Sequence, residues 1–315
     1  MRTTGCYDWF MATLFYCDPY DLPLREGHRF PMEKYRLTRQ ELETSGAFHF
    51  AVGPLASRED LLAVHAAEYV DAVLEGRLSA EQVRRIGFPQ IPELITRSLS
   101  SVGAAMAAAR LALGEGWSGV LAGGTHHAYR DFGSGYCVFN DIAVAAAMVL
   151  REGLAQRVAV VDLDVHQGDG TASIFAGSDR VFCFSAHGRN NFPFRKQQSH
   201  LDLEFEDGVG DAEYLALLPP ALDRVRAFEP EIVFYQAGVD ALKTDRLGKL
   251  ALTMEGMRRR DEMVFEWFHE VPCVVTLGGG YSDPIALTVQ AAATTYRTAD
   301  QILRAISPTD SRPSE

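Results

Sequence analysis

The sequence predicts an α/β fold, a three-layer αβα sandwich with a mostly parallel central sheet. Three observations predict it. From about Ser98 onward, short apolar runs alternate with helix-like stretches, the pattern of right-handed crossovers. The apolar runs are continuous and rich in β-branched residues, as in strands covered on both faces. Polar residues gather just after their C-terminal ends, where open parallel sheets place ligand sites.

In chain order, Leu14–Tyr16 is a short first strand. The run H-R-F-P-M-E-K-Y leads into an amphipathic helix through Glu43, and Glu59–Leu74 reads as another helix. Ile86–Pro89 is a loop. Ser98–Leu113 is Ala-rich with small residues on every face, which suits a helix packed closely on a sheet. Val120–Ala122 is a strand entering G-G-T-H-H, and Asn140 or Asp141 can cap a helix to Leu150. Strands follow at Val158–Val165, Val181–Ser185, Ile232–Gln236 and Cys273–Leu277. Helices separate the later ones over Ala212–Phe228 and Thr253–His269, with Thr253 as a cap.

At 315 residues and 47% apolar composition the chain can bury one large core, although length alone would also allow two. No interior linker or repeat stands out, so one domain is expected over 1–306, with a disordered tail from Ser307. Met11 is a possible alternative start, since Met1–Phe10 has no clear pattern. The net charge of −12, without any basic run, argues against nucleic acid and suits cationic substrates. Five scattered cysteines without C-x-x-C read as reduced thiols. No stretch has membrane-spanning length and the N-terminus lacks signal-peptide order, so a cytoplasmic setting is expected.

The chemistry centres on Val158–Gly170, V-A-V-V-D-L-D-V-H-Q-G-D-G. Asp162, Asp164 and His166 fall at every second position, on one side of an extended backbone. Such a cluster is costly to bury unless a divalent cation compensates it. Asp169, between Gly168 and Gly170, suggests a further acid held in a tight turn. Asp164, His166 and Asp240 form the expected ligand set, which leaves a coordination position open for water and substrate. Zinc is the default ion, with Fe²⁺ or Co²⁺ as options. His126 and His127 could both be ligands, but a complete triad makes them better acid/base groups, and Asp162 and Asp169 could fix their tautomers. Tyr281, after three glycines, could stabilise an oxyanion. Gly133–Tyr136 could supply backbone and an aromatic wall to a narrow channel, with Phe192 opposite.

These residues resemble a known family. G-G-T-H-H, D-L-D-V-H-Q-G-D-G, G-V-D-A-L-K-T-D-R-L-G and L-G-G-G-Y occur in the order and roughly the spacing of zinc-dependent histone deacetylases of the arginase/deacetylase fold. The likeness runs from about Leu14 to Thr298. H-R-F-P-M-E-K-Y and N-F-P-F-R-K-Q look most like the class IV branch and its bacterial relatives. The resemblance implies one domain with an eight-stranded parallel sheet and zinc on Asp164, His166 and Asp240. His127 with Asp169 would be general base and then acid, His126 with Asp162 electrostatic support, and Tyr281 the group polarising the amide carbonyl. Gly135, Tyr136, Phe192 and Leu247 would line an acyl-lysine tunnel. A structural potassium would sit by Asp162, Ser185 and Ala186, with backbone of Asp164 and His166. Lys34 stands where better-known classes carry an Arg at an internal acetate cavity, and Gln167 replaces a frequent His, a change expected to be minor.

The expected activity is therefore a metal-dependent amidohydrolase removing acyl groups from acyl-lysine in a protein or peptide. A small acylated amine such as an acetylpolyamine is the alternative substrate. A silent scaffold and an arginase-like dinuclear hydrolase are weaker options.

Overall fold

The computed structural model describes residues 11–304; the stretch before Met11 and the expected tail from Ser307 lie outside them. In chain order the elements are β1 (Thr13–Tyr16), α1 (Glu33–Glu43), β2 (His49–Val52), α2 (Arg58–Leu61), α3 (Ala67–Leu74), α4 (Ala80–Ile86) and α5 (Pro92–Glu115). Then come β3 (Trp117–Val120), α6 (Asp141–Arg151), β4 (Val158–Asp162), α7 (Asp169–Ile174), β5 (Val181–Gly188) and β6 (Leu201–Phe205). The last are α8 (Asp211–Arg226), β7 (Ile232–Gln236), α9 (Met254–Trp267), β8 (Cys273–Thr276) and α10 (Ile285–Leu303). The strands form one eight-stranded sheet in the order β2-β1-β3-β8-β7-β4-β5-β6, with every pair parallel.

Strands β3, β8, β7 and β4 are buried at every residue, and β4, β7 and β8 accordingly read as near-continuous apolar runs. The sequence pattern does not show β2 or β6. Both lie at sheet edges and are partly exposed, so H-F-A-V and L-D-L-E-F need no continuous apolar run. Helix α10 was also not anticipated.

Several expected boundaries are corrected. Strand β3 runs from Trp117 to Val120 rather than from Val120 to Ala122; Ser118 and Gly119 interrupt its apolar pattern, and Gly119 is needed because a Cβ there would lie 2.7 Å from the Tyr296 ring. Helix α5 starts at Pro92, a residue suited to the first helical turn. The stretch expected as one helix over Glu59–Leu74 breaks into α2 and α3, with buried His65 in the gap. The caps Asn140 and Thr253 form as expected, accepting the amides of Ala143 and Gly256 at 3.0 Å each.

The key consequence of the strand order is local. Strands β7 and β8, late in the chain, slot between β3 and β4. The loops after these four neighbours therefore share one sheet edge.

His65 ties the α2–α3 gap to the segment between β3 and α6. Its Nδ1 lies 2.9 Å from the Tyr129 carbonyl and its Nε2 accepts the Asn140 amide at 3.0 Å. Burial pulls its pKa down from 6.5 to about 4. Between those values the unfolded chain binds a proton that the folded chain refuses, so stability must fall as pH drops through that window. The expected loss is about 3 kcal/mol from this group alone. Urea unfolding at pH 7 and pH 4.5 should show that His65→Gln has a shallower pH dependence than the parent; an unchanged dependence would clear His65 of the role.

Candidate metal centre and active site

Strand β4 ends at Asp162, so Asp164 and His166 do not alternate along an extended strand as the sequence suggested. Instead the Asp162 carboxylate accepts the Asp164 amide at 3.1 Å, and a side chain replaces the ladder as the chain turns away. Asp164 Oδ1 in turn accepts the His166 amide at 2.9 Å. Asp169 is not in a tight turn either; it opens α7.

Asp240 arrives from the loop after β7. Asp164, His166 and Asp240 each offer one ligand atom, and these atoms lie within 4.8 Å of one another. His166 Nδ1 is 3.0 Å from both Asp164 Oδ1 and Asp240 Oδ2. The other oxygens are anchored by backbone, Asp164 Oδ2 to the Gly279 amide at 2.6 Å and Asp240 Oδ1 to the Val165 amide at 2.9 Å. Burial and the neighbouring Asp164 charge push Asp240 up to about 7. The two carboxylates outweigh burial at His166 and raise it to about 10. Two buried acids thus converge on one imidazole, and a divalent cation fits the same place and donor set.

The adjacent histidines follow β3, held by the Gly123–Thr125 turn. Asp141 accepts the amides of Gly124 and Thr125 at 3.0 and 2.9 Å, and Gln236 donates to the Gly124 carbonyl at 2.8 Å. His126 Nδ1 lies 2.7 Å from Asp162, and His127 Nδ1 lies 2.6 Å from Asp169. Tyr129 donates to the second oxygen of Asp169 at 2.9 Å. The two imidazoles sit 4.1 Å apart yet differ in charge preference. Burial opposes charge on both. At His126 the Asp162 and Asp164 carboxylates prevail and raise it to about 9, whereas burial and the charge on His126 lower His127 to about 4.

Tyr281 follows β8 and closes the other side. Its amide donates to Asp245 at 2.6 Å and its carbonyl accepts from Arg246 at 3.0 Å. Burial drives its phenol well above the ordinary value, so it stays a proton donor. The preceding glycines are required sterically, because a Cβ on Gly279 would overlap Asp240 Oδ2.

A cavity of about 660 Å³ leads to this cluster, with Gly135, Tyr136, Phe192 and Leu247 on its walls. Phe192 packs edge-on to His127 at 4.9 Å. Gly135 has φ of +54°, and a Cβ there would lie 2.7 Å from the His127 ring and 3.1 Å from Phe192. The wall facing Phe192 is therefore bare backbone. Tyr136 lines the same cavity, and its ring packs with Phe30 and Phe88 at 5.1 and 5.2 Å.

Ser185 pairs in register with Asp162, and its hydroxyl lies 3.0 Å from His187 Nδ1; buried Ala186 follows it on β5. Lys34 is buried behind Tyr281, donating to the Gly278 carbonyl at 2.8 Å, with its ammonium 5.0 Å from the Tyr281 ring centre. It does not border the nearby internal cavity of about 50 Å³, where Arg97 is the basic residue. Gln167 does more than expected, since it donates to Gln197 and Asp202 and accepts the Gln197 amide, tying down the loop that carries Phe192. Sequence reasoning missed Asp245 and buried Arg260. Asp245 lay inside a quoted motif. Arg260 donates to the carbonyls of Leu163 at 3.2 Å and Gly238 at 2.7 Å, joining the two ligand-bearing loops, and nothing in a helical R-R-R-D run marks it. The acidic composition also misled: the basic residues Arg29, Arg84, Arg85 and Lys249 line the cavity, while Asp164 is its one acidic lining residue among those described.

Comparisons with known proteins agree with this arrangement. Residues 28–297 match the family model described as histone deacetylase domain. An uncharacterized protein of Picosynechococcus is 44% identical over 278 residues, 86% of this chain and 92% of the other. Histone deacetylase 2 of Arabidopsis thaliana is 31% identical over 290 residues, 86% of this chain and 74% of that one. A probable deacetylase of Methanothermobacter thermautotrophicus is 33% identical over 295 residues, 85% of each chain. Among solved structures, the HDA15 HD domain shares the fold with a TM-score of 0.78 at 23% identity, covering 96% of this chain and 92% of that one.

Gly279 provides a direct check on the cation site. Gly279→Ala should sharply reduce the metal-to-protein ratio measured by elemental analysis while the circular dichroism spectrum keeps its α/β form. Full metal loading in that variant would show that the Asp164–Asp240 geometry does not govern binding.

Proposed function

The chain belongs to the histone deacetylase family, and on that premise we propose that it hydrolyses the amide joining an acyl group to the side-chain amine of lysine in a protein or peptide. Amide hydrolysis follows from the family; acyl-lysine as substrate and zinc as the ion, with Fe²⁺ or Co²⁺ as substitutes, are the finer reading. The observation that carries it is the pair of imidazoles, each held by its own carboxylate, beside the Asp164–His166–Asp240 cluster at the end of a walled cavity.

Asp164, His166 and Asp240 would hold the cation. Bound there, it would supply Lewis acidity to the carbonyl and acidify a water molecule. His127, neutral and oriented by Asp169, takes the proton from that water through its Nε2 and later delivers it to the leaving amine. His126, oriented by Asp162, gives electrostatic support to the developing oxyanion. Tyr281 donates a hydrogen bond to the same carbonyl oxygen. Gly135 and Phe192 enclose the aliphatic arm, and Tyr136 and Leu247 complete the tunnel. A potassium ion near Asp162, Ser185 and the Ala186 backbone would be structural in this reading.

Acetylpolyamines, the other candidate substrates, would bring positive charge to a mouth ringed by Arg29, Arg84, Arg85 and Lys249, which favours acyl-lysine. A cytoplasmic setting is part of the proposal. The four described cysteines are buried and free, and no described helix is long and apolar enough to cross a membrane.

Tyr281→Phe should lower kcat on an acyl-lysine peptide by roughly 100- to 1,000-fold, the range for removing one oxyanion donor. The parent enzyme of known metal content should be assayed beside it on peptides differing only in acetyl, lactyl or long-chain acyl groups. Full activity in the variant would remove Tyr281 from the mechanism, and absence of turnover on every peptide would remove acyl-lysine as substrate.

A further inference from the structure

The acyl chain and reacting amide of a substrate enter the cavity, so whatever surrounds the amine stays at the mouth. The charges there are one-sided. Arg29, Arg84, Arg85 and Lys249 line the cavity, and Asp164, at the candidate cation site, is the one described acidic residue that does. This runs against the composition, in which acids outnumber Lys and Arg by 42 to 30.

Pairing does not cancel these charges. Among the described residues, Arg29 and Arg84 form no ion pair. Arg85 bonds Glu81 at 3.0 Å and lies 4.8 Å over the Phe132 ring, while Lys249 is 3.7 Å from Asp207. Both ion pairs are solvent-exposed, where such pairs neutralise little at a distance. Arg29 also borders a second groove, lined by Arg25, Arg36 and Arg246 together with Asp21, Glu33 and Asp283, whose charges nearly balance.

Two fields compete over an approaching substrate. The net charge of −12 favours cations at long range. At physiological salt that field is screened within about 8 Å, so at the mouth the neighbouring guanidinium groups decide. Phe194, 88% exposed and edge-on to Phe192 at 6.3 Å, adds an apolar ledge beside them.

Resting on the acyl-amine reading above, we propose that the mouth selects substrates carrying carboxylate groups next to the acylated amine. In peptide form this is an acyl-lysine flanked by acidic residues. Polybasic segments are poor substrates for the same reason. Free Nε-acyl-lysine presents the same chemistry through its own α-carboxylate, although its ammonium offsets part of the charge.

The test uses three acetyl-lysine peptides of equal length, flanked by Glu, by Gln or by Arg, assayed at about 0.15 M salt, where the long-range field is screened, and at about 0.5 M. The ratio of kcat/KM for the Glu- over the Arg-flanked peptide should be about tenfold or more at the lower of these and shrink at the higher. Replacing Arg29 and Arg84 together by Glu should invert the order. That ratio does not depend on the fraction of correctly folded variant. Free Nε-acetyl-lysine in the same assay separates an amino-acid substrate from a peptide. N-acetyl-4-aminobutyrate against N-acetylputrescine repeats the comparison on small amides of equal length. If no peptide is turned over but the anionic small amide is preferred, the lysine reading fails and the charge selection stands. Equal rates across each charge series, or preference for the Arg-flanked peptide, overturn the selection.

Discussion

Two carboxylates sealed from water and turned on a single imidazole set the terms for the rest of this molecule. Burying Asp164 and Asp240 costs several kcal/mol each unless positive charge meets them, and the surroundings are built around that cost. Backbone amides of Gly279 and Val165 take the outer oxygens, and the inner ones face His166. Arg260, itself buried, crosses beneath and binds the carbonyls of both ligand loops, so the two acids cannot drift apart independently. The glycine run after β8 is part of the same constraint, because no side chain fits where it passes the carboxylates.

The same logic separates the two histidines. Neighbours in sequence and in space, they would behave alike if their carboxylates were equivalent. Asp162 lies beside a second acid, Asp164, and their combined field keeps His126 charged. That charge, with burial, keeps His127 neutral. A pair whose environments drive its members in opposite directions is a common basis for dividing acid and base roles.

Much of this was legible in the chain. The buried strands β4, β7 and β8 are nearly apolar throughout and announced themselves, whereas Ser118 and Gly119 hid the start of β3; the polar residues after all four could still be assigned to one edge. Edge strands β2 and β6 carry no such pattern and were invisible. The ligand residues stood out because acids and histidines are costly beside an apolar run, but their placement was misjudged: the side chain of Asp162 ends the strand that was expected to continue. Arg260 could not be found, since a helical run of arginines reads as a solvated face until packing turns one inward. The basic mouth was hidden for a related reason. Net charge sums over the whole surface, whereas Arg29, Arg84 and Lys249 come together from three separated loops and helix ends.

The insertion of β7 and β8 between β3 and β4 has a consequence for biosynthesis. A ribosome delivers the histidine pair and the Asp164 loop well before Asp240 and Tyr281, so the nascent sheet holds an open gap at its centre. Until the C-terminal third emerges, β3 and β4 each lack a neighbour in the final sheet, and the candidate cation site has only part of its donor set. Asp240 completes that set late, so a truncated product would carry Asp164 and His166 without their third partner.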